Sequence, residues 1–326
     1  MTVAKLIDRH RHTVPKGGLA LPKPFVADHG HPRDYILDEG LEDAANAALG
    51  LGQPLLLTGE PGTGKIQFAH FLAWHLGLDA PLEFHTKSTS TATDLFYSYD
   101  TVRRVHAAHA GQAVTDERDF VRFNALGRAM LRSLPAEKIA HICPPADTDA
   151  SAGPVRSVVL IDEIDKASRD FPNDLLNELS LMAFQIPELG TKVAADPALR
   201  PIVVVTSNRE RPLPDAFLRR CVFYCIEPPD EARLIEILAR RFGQDPARPP
   251  PLITSAARFY QTAQRGGHRP PSVAELVGWF HLLLRSGTNL NLHASQSDQG
   301  GIAALAKTPP ARKYLGDLLK AGQPGV

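Results

Sequence analysis

The chain has 326 residues, enough for about two domains, and its apolar fraction of 43% suits a packed core. Lysine plus arginine equals aspartate plus glutamate at 36 each, so the formal net charge is zero and gives no support to a nucleic-acid or membrane-surface role. Three cysteines, Cys143, Cys221 and Cys225, are too few for a disulfide framework, and no second pair joins Cys221 and Cys225 to make a metal site.

In chain order, residues 1–33 are rich in proline, glycine, histidine and basic residues and read as an N-terminal arm. They lack the apolar run of a signal peptide, and nowhere do about 18 apolar residues follow one another, so a cytoplasmic protein without a transmembrane helix is expected. Leu37, Leu41, Ala44, Ala45 and Ala48 recur at helical spacing and predict a helix over 38–50, ended by Gly50 and Gly52. The apolar run 54–58 predicts a buried strand, and a helix is expected from Lys65 to Leu76. A strand at 82–85 and a helix over 101–110 follow. Residues 111–154 read as an insertion with one helix over 122–134. Strands are expected at 155–161, 202–206 and 221–226, with a helix over 172–183 between the first two. From Asp230 on the pattern is helical, over 230–242, 252–264, 272–286 and 301–321.

Apolar strands alternating with helices imply α/β architecture, a parallel sheet sandwiched by helices, spanning 34–229. A smaller helical lid domain is expected over 230–326. The thirteen histidines are scattered without metal-ligand spacing.

Between the first strand and its helix stands Gly59-Glu60-Pro61-Gly62-Thr63-Gly64-Lys65. Glycines allow the backbone to curl so that successive N–H groups point inward, the helix adds its positive end, and Lys65 adds a mobile charge. This is the chemistry that holds the phosphates of a nucleoside triphosphate, and the strand–loop–helix context makes the motif a P-loop. The next residue, Ile66, departs from the rule. Serine or threonine is expected there, because its hydroxyl ligates Mg²⁺. Water replaces that ligand, or the site binds nucleotide and turns it over poorly or not at all, or the substitution is an engineered trap.

Val158–Ile161 ends in Asp162-Glu163. At a strand end, Asp162 suits Mg²⁺ and Glu163 suits a general base acting on water. Ile202–Thr206 leads into Ser207-Asn208, and an amide at a neighbouring strand end can reach the γ-phosphate or the attacking water. Arg219 and Arg220 stand just before a strand. An arginine inserted into a neighbour's site stabilises transition-state charge, with Arg220 favoured and Arg219 its neighbour or substitute.

Taken together, Gly59–Lys65, Thr93–Asp100, Asp162–Ala167, Thr206–Asn208 and Leu213–Arg220 resemble the AAA+ ATPases, and specifically the MoxR-like branch, over about residues 33–285. The resemblance implies ATP rather than GTP, sensor 1 at Asn208, the finger at Arg220, and a second sensor arginine near the lid, for which Arg269 is the candidate. It also implies a homo-oligomeric ring, usually a hexamer, and a chaperone-like remodeler working with a separate protein that carries a von Willebrand factor A domain. A nucleotide-gated assembly protein with impaired hydrolysis is the second reading, motivated by Ile66. A nucleic-acid translocase or restriction-type motor subunit is a third, which the neutral charge does not favour.

Overall fold

A computed structural model of the chain describes residues 31–109, 116–143, 153–266, 269–285 and 301–321. The expected arm at 1–33 lies almost wholly outside the described residues, as do the two ends of the stretch read as an insertion. Contacts gather the chain into two compact units. One is Tyr35–Glu60 with Gly64–Glu227; the other contains residues 31–34, Pro61–Thr63 and the chain from Pro228 on.

In the first unit, helix α1 (Glu39–Leu51) is followed by strand β1 (Leu55–Thr58), helix α2 (Lys65–His75), β2 (Leu82–His85), β3 (Tyr97–Tyr99) and α3 (Thr101–His109). Strand β4 (Val121–Phe123), α4 (Ala125–Arg132), α5 (Ala136–Ile139) and β5 (Val158–Asp162) come next. The unit closes with α6 (Phe171–Asp174), α7 (Leu176–Leu181), β6 (Ala183–Ile186), β7 (Thr191–Ala194), β8 (Ile202–Ser207), α8 (Asp215–Leu218) and β9 (Val222–Cys225).

Five parallel strands form one sheet in the order β2-β5-β8-β1-β9. Successive side chains on a strand point to opposite faces. Accordingly Leu55, Leu57, Val158, Leu160 and Val204 pack with α1 and α2 on one face. Leu56, Val159, Ile161, Val203 and Val205 pack with α4, α6 and α7 on the other. Because both faces are covered, β1, β5 and β8 read as unbroken apolar runs rather than alternating ones. Helix α1 is closed at both ends. Asp38 accepts the Leu41 N–H at 2.8 Å, and Gly52 takes the left-handed conformation after its last turn.

Two expectations are corrected in this unit. The helix of the stretch read as an insertion is no appendage: Leu126, Ala129 and Met130 of α4 are fully buried in the core against the sheet. The single helix expected over 172–183 is α6 and α7, ended by Met182 in the left-handed region (φ 44°), after which the chain enters strand β6. Two antiparallel hairpins were not foreseen at all, β3 with β4 and β6 with β7.

The second unit holds α9 (Glu231–Arg241), α10 (Pro251–Gln264), α11 (Val273–Arg285), α12 (Ile302–Leu305) and α13 (Pro309–Ala321). The last two replace one helix expected over 301–321, since Pro309 and Pro310 start a new helix rather than continue one. Trp279, Phe280, Phe259 and Tyr260 centre its core. No helix among the described residues is long and apolar enough to cross a membrane.

Candidate functional site

Register places the chemistry at one end of the sheet. Thr58 of β1 pairs with Ser207 of β8, and Ile161 of β5 pairs with Val205. The segments that follow β1, β5 and β8 therefore leave the sheet side by side, carrying Gly59–Lys65, Asp162-Glu163 and Asn208.

The loop after β1 turns on Gly59, Gly62 and Gly64, with φ of 142°, 81° and 99°. Non-glycine residues rarely adopt these values. The chain then enters α2 at Lys65, which is 7% exposed. Its Nζ donates to the carbonyl oxygens of Gly59 at 2.8 Å and Glu60 at 2.9 Å, so the ammonium closes its own loop. Burial pushes the Lys65 ammonium below its ordinary value, against the opposing charges of Asp162, Asp165 and Glu163. Ile66 points elsewhere: it packs, partly buried, against the apolar cluster between α1, α2 and the sheet and presents no oxygen.

Asp162 and Glu163 are held by β8. Thr206, fully buried, donates its hydroxyl to Asp162 Oδ1 at 2.6 Å and accepts the Glu163 N–H at 2.8 Å. His85, at the end of β2 in register with Asp162, brings Nδ1 to 3.4 Å from Oδ2. Glu163 takes the left-handed backbone conformation, φ 55° and ψ 50°, costly for a residue with a Cβ. Asn208 Nδ2 donates to its Oε1 at 2.8 Å, and Lys166 forms a short ion pair with its Oε2. Asp165, 3% exposed, accepts the N–H of Asn208 at 3.3 Å and of Glu210 at 2.8 Å, fixing the turn after β8. Lys65, Asp162, Glu163 and Asn208 are thus brought together. Thr206, Asp165 and Lys166 lay inside segments that the sequence marked, but only the hydrogen bonds reveal what they do; nothing in the sequence marks His85.

Arg219 and Arg220 are not part of this cluster. They are exposed and precede β9, whose first residue, Val222, pairs with Leu55, the first residue of β1. They stand at the opposite end of the sheet from the P-loop, about 10 Å of strand away. Arg220 lines a cleft with Leu51, Pro54 and Arg200, all at that far end.

In the second unit Arg269 is exposed ahead of α11. That helix begins on a reciprocal cap: Ser272 N–H to Glu275 Oε2 at 2.7 Å, and Glu275 N–H to Ser272 Oγ at 3.3 Å. A Cβ on Gly62 of the same unit would fall 2.8 Å from Ser272 Cβ. The residue nearest the loop glycine there is a capping serine, not Arg269.

Among the described residues no three His, Cys, Asp or Glu side chains are arranged to hold a metal. Asp162 offers a single buried carboxylate, which suits Mg²⁺, an ion that commonly takes one or two carboxylates and fills its shell with phosphate oxygens and water.

The profile of the AAA domain (dynein-related subfamily) matches residues 54–242. The chain belongs to this AAA family. Within it, β1 leads into the P-loop, and the five-stranded parallel sheet is the P-loop NTPase fold. No curated protein matches the AAA chain. Among solved structures, the RuvB Holliday junction branch migration motor of Thermotoga maritima matches over 86% of this chain and 67% of its own, at 16% identity and a TM-score of 0.41. That likeness is too distant to speak for activity.

Proposed function

We propose that this AAA protein is a ring-forming ATPase of the MoxR-like branch that remodels a protein partner. One observation carries the assembly: the groups suited to bind and attack the triphosphate cluster at one end of the sheet, while Arg219 and Arg220 stand at the other. An arginine that cannot reach its own site is suited to a neighbour's.

In this reading the inward N–H groups of Gly59, Glu60, Pro61's successors Gly62 and Thr63, and Gly64 cradle the phosphates. Lys65 leaves the carbonyls of Gly59 and Glu60 for the β and γ oxygens. Asp162 holds Mg²⁺, which when bound neutralises phosphate charge. Glu163 takes the proton of the attacking water, Asn208 aims Glu163, and Arg220 of the adjacent copy meets the γ-phosphate, with Arg219 beside it. Arg269, ahead of α11, is the residue proposed as the second sensor of the nucleotide.

Two chains test this. Glu163→Gln lacks the base and Arg220→Ala lacks the finger. Each alone should release no phosphate from ATP, and mixing them should restore part of the activity, because some interfaces pair an intact base with an intact arginine. Failure of the mixture, with both chains folded and binding nucleotide, refutes action between copies. A monomer in sedimentation with and without ATP refutes the ring.

Ile66 favours a second reading, a nucleotide-gated assembly protein that hydrolyses ATP slowly. Its side chain is committed to the apolar cluster and leaves one Mg²⁺ position to water. Phosphate release by the parent and by Ile66→Thr separates the two: equal rates eliminate impaired hydrolysis.

A further inference from the structure

Both carboxylate oxygens of Glu163 are already engaged within the chain. Asn208 donates to Oε1 at 2.8 Å, and the Lys166 ammonium is paired with Oε2. A water that is to surrender its proton to Glu163 must approach one of these oxygens with its O–H directed at a lone pair. The two donors differ in how firmly they are placed. Asn208 sits at the end of β8, and its own N–H is fixed to Asp165 at 3.3 Å. Lys166 ends the single 3-10 turn Ile164–Lys166, and its side chain is 43% exposed. It is a compact charge on a flexible stem, held by one contact that water can replace.

We infer that Lys166 is a positioning residue that acts as a brake: its ammonium holds Glu163 Oε2 and must let go before the attacking water can take that place. The backbone of Glu163 strengthens the case. Its strained left-handed conformation is fixed by its N–H to Thr206 Oγ1 at 2.8 Å, so the carboxylate cannot swing away from Lys166 by relaxing the main chain. Release then falls to the side chains, of which the lysine is the more exposed. The inference rests on the proposed hydrolysis.

The test is single-turnover phosphate formation with all nucleotide bound, in the parent, Lys166→Ala, Lys166→Gln and Lys166→Arg. An exposed ion pair of this kind is worth at most about 1 kcal/mol, which is about fivefold in rate, so Ala and Gln are expected to be about two- to fivefold faster than the parent. Nucleotide affinity should stay the same, and Arg should stay at the parent rate because it restores the pair. A merely structural role would slow the reaction or weaken binding instead. Turnover in the parent that Ala and Gln leave unchanged or slow overturns the brake alone, as does an Arg variant as fast as Ala. Absence of phosphate release from every chain, with nucleotide bound, overturns the ATPase reading itself and the brake with it.

Discussion

Replacing Thr206 by valine tests the node on which the two acidic residues hang. The side chain is fully buried, so the new methyl fits where the hydroxyl was and β8 keeps a β-branched residue. Two hydrogen bonds are lost together. The hydroxyl no longer donates to Asp162 Oδ1 at 2.6 Å, a bond to a charged group worth about 1.5–3 kcal/mol. The Glu163 N–H loses its acceptor at 2.8 Å, and a buried unsatisfied donor costs about 1–3 kcal/mol. Asp162 Oδ2 keeps its approach to His85 at 3.4 Å, and part of the penalty relaxes away. The net expectation is a loss of about 2–4 kcal/mol in the opening free energy of the sheet centre. Amide hydrogen exchange read by mass spectrometry, on peptides covering β5 and β8, measures it locally and leaves the helical unit out of the measurement. Thr206→Ser is the control, since it keeps both bonds and removes one methyl, about 1 kcal/mol. A valine variant that loses less than serine does would refute the reasoning that these bonds hold the acids in place.

Three further outcomes follow from the same geometry. Gly127→Ala should destabilise the chain by about 2–3 kcal/mol in thermal unfolding even though alanine favours helices, because the new Cβ in α4 would stand 2.0 Å from the Phe96 carbonyl oxygen; an unchanged or raised midpoint would disprove the close approach. Burial, then its hydrogen bond to Glu188, pushes the Tyr97 phenol up to about 12, so its contribution to stability is fully present below pH 10 and is lost as pH rises toward 12. Denaturant unfolding should show the parent losing more ground across that window than Tyr97→Phe does. Desolvation also raises the half-buried Cys221 thiol to about 12 from 9.0, which leaves little thiolate at pH 8; alkylation mapped by mass spectrometry should find Cys221 slow, and labelling at the rate of a free thiol would contradict the raised value.

The strands of the sheet and the loop that opens α2 could be read in the sequence because each is a local decision. A run such as Val158–Asp162 is apolar throughout when both faces are covered, and the P-loop glycines are needed wherever a backbone must curl inward. The hairpins were hidden for the opposite reason. Tyr97–Tyr99 is three residues long, and its partner Val121–Phe123 lies far along the chain. Ala183–Ile186 continues the helical spacing of Leu176 and Leu179, and the break falls at Met182, where a left-handed residue usually announced by glycine is a methionine. The same exception recurs at the site: among the described residues the other two non-glycine positive φ values belong to Glu163 and Arg209, at the ends of β5 and β8. Sequence rules fail there because hydrogen bonds override local preference: the Glu163 N–H donates to Thr206 Oγ1, the Arg209 N–H to Ser207 Oγ, and Asn208 Nδ2 to Glu163 Oε1. Arg219 and Arg220 show the limit most clearly. Their place just before a strand was legible, yet which end of the sheet that strand begins at depends on the register of β9 on β1. That register puts them beyond reach of their own phosphate site, so a pair of arginines that a sequence could only count becomes an argument for a second copy.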